Sequence, residues 1–408
     1  MRKRQIIACA AMLTIAASVA ACGSSSSSSG ASVAAAAGSP SGASSGKSIN
    51  VLDITATSGA TAIFGQQETL GLQAAAAYYN AHGGILGRKI QITVVNDNSD
   101  PATATSIAEQ QLASNPGKYA MVWAGEEGTV TAALIPSMKR FDVFATAVDD
   151  GNSACAHASA CPNLFTQVGP ISLAEVTDAA ALKKAGYTKI GIIADQATYD
   201  QSELSFMQPD LTADGLKYVT VTFPPTTVSL TPEMSQLKSD GVQAVFAEAL
   251  GPSAGYVLSA RAALGWSVPV EFDITGSSTD ISKLAPASDL SKVTETIHYC
   301  MDTSHNIPAF NSLVKDTPQP LAGNVTCPIA GDGWDGIVLL ANAAAKAQSL
   351  SPSALSSAAQ TLHITTNEVS YKAFCWTAAD HENVCNAPSD FEVVPLGQLK
   401  NTRLYPLG

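Results

Sequence analysis

The sequence predicts an α/β protein made of two doubly wound, Rossmann-like lobes. From Ile49 onward, short apolar strands alternate with helical segments, which is the pattern of parallel sheets covered by helices. About seven such alternations occur, too many for one small sheet and too irregular for an eight-fold barrel. With 408 residues, 46% of them hydrophobic, the chain is long enough for two to three domains with a sizeable core.

The predicted elements begin and end at ordinary sequence signals. A helix over residues 66–82 ends at Gly83 and Gly84, and a helix over 101–114 begins after Asp100 as N-cap. The last expected helix, over residues 333–348, has one apolar face. The other expected elements are strands 49–54, 89–95 and 119–123, helix 172–186, strand 189–194, helix 201–214, strand 217–223, helix 231–241, strand 242–247, helix 252–265 and strand 268–274.

The N-terminus is expected to send the chain out of the cytoplasm. Residues 1–21 combine a basic start with an apolar run ending in small residues, which is typical of a signal peptide. The stretch Val19-Ala20-Ala21-Cys22 resembles the lipobox of bacterial lipoproteins, whose cysteine carries lipid. Residues 22–48, rich in serine, glycine and alanine, predict a flexible tether. We expect a protein lipid-anchored through Cys22 to the outer face of the cell membrane, or a periplasmic one; an ordinary signal peptide with a chance cysteine is the alternative.

Six cysteines follow Cys22 and predict disulfides. An even number in an exported chain favours pairing, although six cysteines allow 15 connectivities. Proximity along the chain favours Cys155–Cys161, Cys300–Cys327 and Cys375–Cys385. Metal binding is the alternative, because a histidine lies between the cysteines of the first and third pairs. Neither spacing matches a recurrent zinc pattern, so we expect no metal and no cofactor.

Charge and motifs argue against two functional classes. The formal net charge is −12 and no basic stripe is present, which argues against nucleic-acid binding. The sequence contains no nucleophile elbow, phosphate-binding loop, zinc-protease motif or dinucleotide-binding glycine motif. The acid pairs Glu126-Glu127 and Asp149-Asp150 could serve glycoside hydrolysis, but nothing supplies the rest of a catalytic site. We therefore expect that the protein is not an enzyme.

Four stretches resemble the type I periplasmic binding proteins of the branched-chain amino acid type, which serve ABC importers. Residues 58–66, SGATAIFGQ, are similar to the first-strand loop of that family. Residues 80–90, NAHGGILGRKI, resemble its N-x-x-G-G-[IV]-x-G-[RK]-K signature, and residues 97–101, DNSDP, resemble its D-D-x-x-D-P. Residues 241–252 are similar to a later strand and turn. The resemblance covers nearly everything after the tether.

The resemblance implies two lobes that are joined by three hinge crossings and close on a small solute. We expect lobe 1 to comprise residues 49–147 and a return segment, 275–390. Lobe 2 is expected to comprise residues 148–274, with the C-terminal segment 391–408 returning to it. The chain would act as a monomer that docks on a membrane permease.

In lobe 1, the resemblance places the solute against loops that follow the strands. Phe64 would cover it, and the helix that begins after Gly125 would offer its N-terminus, where the family commonly binds a carboxylate through hydroxyl residues. Thr129 keeps a hydroxyl there, but Glu126 and Glu127 are acids. Asp149 stands where the family often has serine or threonine.

In lobe 2, Tyr199 matches a loop tyrosine of the family. Ser253 takes the place of an acid that often binds an ammonium group, although Glu248 is nearby. The expected ligand-binding residues of both lobes are Phe64, Glu126, Glu127, Gly128, Thr129, Val148, Asp149, Tyr199, Glu248, Leu250 and Gly276.

The additional acids bear on the nature of the solute. They would repel a carboxylate unless one is protonated or points outward, which favours a neutral or cationic polar solute such as an amide, a urea-like compound or an amine. The alternatives are that the acids are solvated rim or helix-N-terminal residues, that Phe64 packs in the core, and that Tyr199 is a rim residue.

The expected function is that of an extracytoplasmic solute-binding protein of an ABC importer. It would bind a small polar solute (an amino acid, amide or amine-like compound) between closing lobes and deliver it to the permease. The alternatives are a sensory receptor of the same fold, a surface hydrolase acting through Glu126 or Asp149, and a purely structural surface protein.

Overall fold

The computed structural model describes residues 47–149, 153–169, 172–196, 198–224, 226–317, 326–400 and 402–407. The predicted signal peptide, Cys22 and the tether as far as residue 46 lie outside the described residues. Within the described ranges, no helix is both long enough and apolar enough to span a membrane.

Parallel strands form a first sheet in the order β2–β1–β3–β4–β5. The strands are β1 (Ile49–Thr55), β2 (Ile90–Asn96), β3 (Tyr119–Ala124), β4 (Ala145–Ala147) and β5 (Leu164–Thr166). Successive β1 side chains enter different cores: Val51 joins the core under one helix layer, and Leu52 joins the core under the other. The sheet is therefore covered by helices on both faces.

A second sheet has the order β13–β10–β9–β8–β6–β7, parallel except for β13, which runs antiparallel to β10. The remaining strands are β6 (Lys189–Asp195), β7 (Lys217–Phe223), β8 (Ala244–Glu248), β9 (Val270–Phe272), β10 (Val293–His298), β11 (His363–Ile364), β12 (Phe374–Cys375), β13 (Phe391–Pro395), β14 (Gly397–Lys400) and β15 (Arg403–Pro406). Strands β11–β12 and β14–β15 form small antiparallel pairs outside the two sheets.

Helices cover both sheets. In chain order they are α1 (Ala62–Ala81), α2 (Pro101–Ser114), α3 (Gly128–Arg140), α4 (Ser172–Lys184), α5 (Thr198–Ala213), α6 (Thr231–Ser239), α7 (Pro252–Ala263), α8 (Pro308–Asp316), α9 (Cys327–Ala347) and α10 (Pro352–Ala359). On the first sheet, α1, α8 and α9 pack on one face and α2 and α3 on the other; on the second sheet, α6 and α7 lie opposite α4 and α5. This is the predicted architecture of two doubly wound lobes.

Two lobe boundaries differ from those expected. Strand β5 pairs with β4, so the first sheet continues past residue 147 to Thr166. Strand β10 pairs with β9, so the second sheet continues past residue 274 to His298. Short 3-10 helices separate β9 from β10, and their lack of a regular hydrophobic period explains why sequence reasoning missed β10. The expected return to lobe 2 at residue 391 coincides with the start of β13.

The disulfides join Cys155 to Cys161, Cys300 to Cys327 and Cys375 to Cys385, which is the pairing that chain proximity favours. His381, one of the histidines between paired cysteines, is buried. Its Nδ1 lies 2.6 Å from the Cys161 carbonyl oxygen and its ring stacks on Phe165. These contacts give His381 a packing role.

Helices α1 and α9 approach each other through glycines. A Cβ added at Gly71 would lie 1.8 Å from the carbonyl oxygen of Ala330, and one added at Gly333 would lie 1.9 Å from that of Glu68. No larger side chain fits either position without separating the helices. Asp332, which precedes Gly333 on α9, is close enough to Glu68, one turn before Gly71 on α1, to raise the pKa of its carboxyl group.

Both lobes bury carboxyl groups in their cores. Asp53 on β1, Glu271 on β9 and Glu295 on β10 are all buried. Burial raises the pKa of Asp53 to about 7 and the pKa values of Glu271 and Glu295 to about 8. These groups therefore keep their protons in the folded protein at pH values where an unfolded chain has lost them.

We expect the free energy of unfolding to fall as the pH rises from about 4.5 to about 8. In that range the native state holds more protons than the unfolded state, so raising the pH favours unfolding. Glu295→Gln keeps an oxygen for the Gly397 N–H, which lies 2.9 Å from Glu295 Oε1, and should make the decrease shallower. Urea unfolding at several pH values measures the effect; a profile as steep as that of the surface control Glu109→Gln would contradict it.

We also expect Gly333→Ala to lower the free energy of unfolding by about 1–3 kcal/mol, because the added methyl group overpacks the α1–α9 contact. The matched control is Gly255→Ala in α7, where an added Cβ would lie 3.0 Å from the Leu284 side chain and strain is smaller. Urea unfolding of both variants measures the difference. Equal stability of the two variants would show that the α1–α9 contact has room to relax.

Candidate functional site

The strand order of each sheet creates a crevice at the carboxyl ends of its strands. In the first sheet, β2 and β3 flank β1, so the connections that leave β1 and β3 diverge. The loops after these two strands contact each other: the Gly125 N–H donates to the Ile54 carbonyl at 3.0 Å. In the second sheet, β7 and β8 flank β6 in the same way. Both crevices contribute to one cleft.

A cavity of about 680 Å³ lies in this cleft and is lined by residues of both lobes. Its volume is in the range of sites that enclose a small molecule. Of the residues expected to bind a ligand, those that line the cavity are Phe64, Glu126, Glu127, Thr129, Val148, Asp149 and Leu250. Ser253, the position where the family often has an acid, also lines it.

The Glu126 carboxyl holds the loop between β1 and α1. One of its oxygens accepts a hydrogen bond from the Ala56 N–H at 3.1 Å, and the other accepts from the Thr61 hydroxyl at 2.5 Å. Burial raises the pKa of Glu126 to about 7; the Thr61 bond opposes this shift and the nearby Asp97 carboxyl adds to it. Both oxygens therefore already have a structural role.

Glu127 caps the N-terminus of α3. Its carboxylate accepts hydrogen bonds from the Thr129 N–H at 3.0 Å, the Val130 N–H at 3.3 Å and the Thr129 hydroxyl. An acid at this position is favourable because a helix N-terminus exposes N–H groups and a partial positive charge. Two N–H donors that could receive a carboxylate of the solute at this helix, those of Thr129 and Val130, are thus bound by the chain itself.

Three of the expected ligand-binding residues do not line the cavity. Strand alternation turns Glu248 to the face of β8 that α4 covers. Burial raises the pKa of Glu248, and the nearby carboxyls, among them Glu175 and Asp178, raise it further. Gly276 packs against Phe272 and Ile281. The third, Gly128, is buried at the start of α3. A fourth residue, Tyr199, falls in α5, but its side chain lies outside the described part of the structure.

Two acids that sequence reasoning did not select line the cavity from helices. Glu68 on α1 accepts a hydrogen bond from the Trp123 indole N–H at 3.0 Å. Asp332 on α9 has one carboxyl oxygen, Oδ1, that is buried without a hydrogen-bond partner among the described atoms. Burial raises the pKa of both groups well above their ordinary values, and neighbouring acids raise both pKa values further. Neither acid has a distinguishing sequence signal, because Glu68 follows Gln66 and Gln67 on α1 and α9 carries a second acid, Asp335.

Aromatic side chains form another part of the wall. His298, at the end of β10, packs edge-on against Tyr371 with ring centroids 5.3 Å apart, and lies 5.1 Å from Phe391. All three line the cavity, and Tyr256 of lobe 2 lines it as well. Burial lowers the pKa of His298 to about 3, so its ring is neutral and adds no positive charge.

One group of possible metal ligands was found among the described residues, and it lies outside the cavity. His305 Nε2 is 3.2 Å from Glu392 Oε1 and 3.8 Å from Asp302 Oδ2. The Arg403 guanidinium donates to the backbone carbonyl of His305 at 2.8 Å, which already brings a positive charge to this loop. Histidine–carboxylate pairing accounts for the arrangement without a metal ion.

Comparison with known proteins agrees with this architecture. A family model described as periplasmic binding protein matches residues 48–388. No curated protein matches the sequence significantly. Among solved structures, a type 1 periplasmic binding protein from Bordetella pertussis Tohama I is 18% identical, with a TM-score of 0.72 over 88% of this chain and 100% of that one.

Two further solved structures were determined with ligands. A solute-binding protein of an ABC transporter from R. palustris, in complex with benzoate, is 18% identical, with a TM-score of 0.69 over 88% of this chain and 96% of that one. The branched-chain amino acid transporter substrate-binding protein LivJ from Streptococcus pneumoniae, in complex with isoleucine, is 17% identical, with a TM-score of 0.68 over 88% of this chain and 97% of that one. At these identities the likeness shows the fold alone.

The family model covers most of the chain, and the two lobes, their parallel sheets and the cleft between them agree with it. The three solved neighbours are described as a periplasmic binding protein, a solute-binding protein and a substrate-binding protein. The chain therefore belongs to the periplasmic binding protein family, with the type I two-lobed fold.

Proposed function

We propose that this chain is the extracytoplasmic solute-binding component of an ABC importer. It takes up a small polar solute (an amino acid, amide or amine-like compound) in the cleft and delivers it to a membrane permease. The observation that supports this most directly is the cavity of about 680 Å³ with walls from both lobes. Membership of the periplasmic binding protein family supports transport over the hydrolase and structural alternatives.

Closure of the lobes on the solute is the proposed mechanism. Phe64 of lobe 1 and Tyr256 of lobe 2 both line the cavity, so a solute that contacts both favours the closed state. A permease that binds only the closed form then distinguishes loaded protein from empty protein. The segments that connect the two sheets after β5, after β10 and before β13 would act as the hinge.

We further propose that lipid on Cys22 and the tether of residues 22–48 hold the two-lobed body at the outer face of the membrane as a monomer. The polar composition of the tether supports this, because a serine- and glycine-rich segment gains too little from packing to fold. Delivery then occurs at a high local concentration next to the permease.

The proposed contacts in lobe 1 include Phe64, Val148 and Asp149, and those in lobe 2 include Leu250 and Tyr256, since all of them line the cavity. Glu126 and Glu127 belong to the wall but act mainly through the loop and the helix that they hold. Benzoate and isoleucine, which are bound by structurally similar proteins, are the natural reference compounds for this site.

A thermal-shift screen of the full, oxidised chain tests the proposed function. We expect at least one compound among amino acids, amides, urea, amines and benzoates to raise Tm, because a ligand of the native state adds about 2.7 kcal/mol of stability at a hundred times its Kd. Small-angle scattering should show a more compact particle with the same compound. A screen without any shift would contradict the proposal.

Removing an aromatic side chain from either lobe's side of the cavity should weaken binding of the compound that the screen identifies. We expect Phe64→Ala and Tyr256→Ala each to raise Kd by about tenfold or more, since an aromatic side chain contributes about 1.5–3 kcal/mol of buried contact. Tyr218→Ala, on β7 away from the cavity, is the matched control. If only one of the two cavity variants changes Kd, measured by titration calorimetry, the solute does not bridge the lobes.

A further inference from the structure

We propose that the solute is an organic cation, whose ammonium or guanidinium group lies between Glu68 and Asp332 while aromatic side chains hold its apolar body. This inference rests on the proposed function, because it assumes that the cleft is a solute site. It goes further by naming the chemical class of the solute and the two residues that select it.

The charge of the cavity is the first observation. Six carboxyl side chains line it, and among its described lining residues none is lysine or arginine. The acids are Glu68, Glu126, Glu127, Asp149, Asp195 and Asp332. An anion entering this space would find no cationic partner among these residues.

Of these six acids, Glu68 and Asp332 form the natural site, because Asp332 has an unpartnered oxygen and lies close enough to Glu68 to raise its pKa. Glu126 accepts hydrogen bonds from the loop between β1 and α1, and Glu127 accepts them from the first turn of α3. Glu68 lies on the wall with one oxygen bonded to Trp123. Asp332 is 5% exposed, and its Oδ1 has no hydrogen-bond partner among the described atoms.

Several buried carboxyl oxygens lack a hydrogen-bond partner among the described atoms, and of the six acids that line the cavity Asp332 is the one with such an oxygen. Buried polar atoms in folded proteins almost always have a partner, and those that lack one often mark a site for a ligand or an ion. Asp332 is close enough to Glu68 to raise its pKa further above the effect of burial, and the carboxyls of Asp335 and Asp149 do the same for Asp332. One cationic group between these carboxyls would supply the missing hydrogen bonds and the missing charge.

The remaining wall fits the apolar body of an organic cation. Phe64, Tyr256, Tyr371 and Phe391 line the cavity, and aromatic faces attract a nearby cation as well as apolar groups. His298 Nδ1 is a second buried atom without a described partner, on a ring 9% exposed. Because this ring is neutral, it offers a hydrogen-bonding nitrogen without opposing a cation.

The N–H groups at the start of α3, where a solute carboxylate could bind, are partly occupied in this chain. The first N–H groups of α3 are free donors in an uncapped helix, but here Glu127 accepts from those of Thr129 and Val130. A solute carboxylate would have to displace a covalently attached one. The cleft therefore disfavours benzoate-like and other simple carboxylates.

Two matched trios of probes test the proposal on the full, oxidised chain. Phenethylamine, 2-phenylethanol and 3-phenylpropanoate share one apolar body, and pentylamine, 1-pentanol and hexanoate share another. By titration calorimetry at neutral pH, we expect an amine to bind at least about tenfold more tightly than its alcohol, and the carboxylates to give no binding heat. Isoleucine and benzoate are included as references.

Neutral variants identify the residues responsible. We expect Asp332→Asn and Glu68→Gln each to weaken amine binding by about tenfold to about a hundredfold. The empty variants should unfold at about the same temperature as the parent, because an uncharged amide of the same shape replaces a carboxyl group whose ionisation burial already disfavours. Loss of binding without loss of stability separates ligand binding from a structural role. Asp214→Asn and Glu109→Gln are matched surface controls.

The outcomes distinguish this inference from the proposed function. Binding of a carboxylate or an alcohol while both amines fail would overturn the cationic solute and leave the solute-binding function intact. Amine binding that survives both neutral variants would overturn the assignment to Glu68 and Asp332. If neither the probes nor any compound of the thermal-shift screen bind, the proposed function fails and this inference fails with it.

Discussion

The contact between α1 and α9 is the constraint on which the base of the cleft depends. Gly71 and Gly333 let the two helix backbones approach without intervening side chains, so that Gly333 touches the Glu68 carbonyl. This approach brings a carboxyl group from each helix to one wall of the cavity, behind the loops that usually surround a ligand in a doubly wound sheet. The same packing would orient any group that these acids bind.

Buried acids give the cleft its chemical character. A carboxyl group in apolar surroundings either keeps its proton or requires a positive partner, and the described lining of this cavity supplies neither lysine nor arginine. The two loop acids already have hydrogen-bond partners in the chain: Glu126 accepts from Ala56 and Thr61, and Glu127 caps α3. Asp332 keeps an unpartnered oxygen, and this difference is why we assign selection of the solute to the helices.

Much of the fold was predictable because local signals and hydrophobic alternation agree with it. Helix α2 has its expected bounds, and the Asp100 side chain accepts from the Thr103 N–H at 2.6 Å as an N-cap should. Strand β10 was not predictable, since 3-10 turns without a hydrophobic period precede it. At the site, positions such as Phe64 and Asp149, which were expected from the family pattern, line the cavity. Glu68 and Asp332 were not expected, because only the three-dimensional approach of α1 and α9 shows that they share a wall. Glu248 was misplaced because strand alternation turns it beneath α4.

The most direct test of this account is a crystal structure of the full chain with 4-bromophenethylamine, whose bromine marks one end of the molecule by anomalous scattering. We expect the compound to lie between the lobes, with its nitrogen about 3 Å from Asp332 Oδ1 and its bromine end toward the aromatic side chains that line the cavity. The nitrogen at the start of α3, or the compound bound outside the cleft, would contradict the assignment of the Glu68–Asp332 wall as the site that selects the solute.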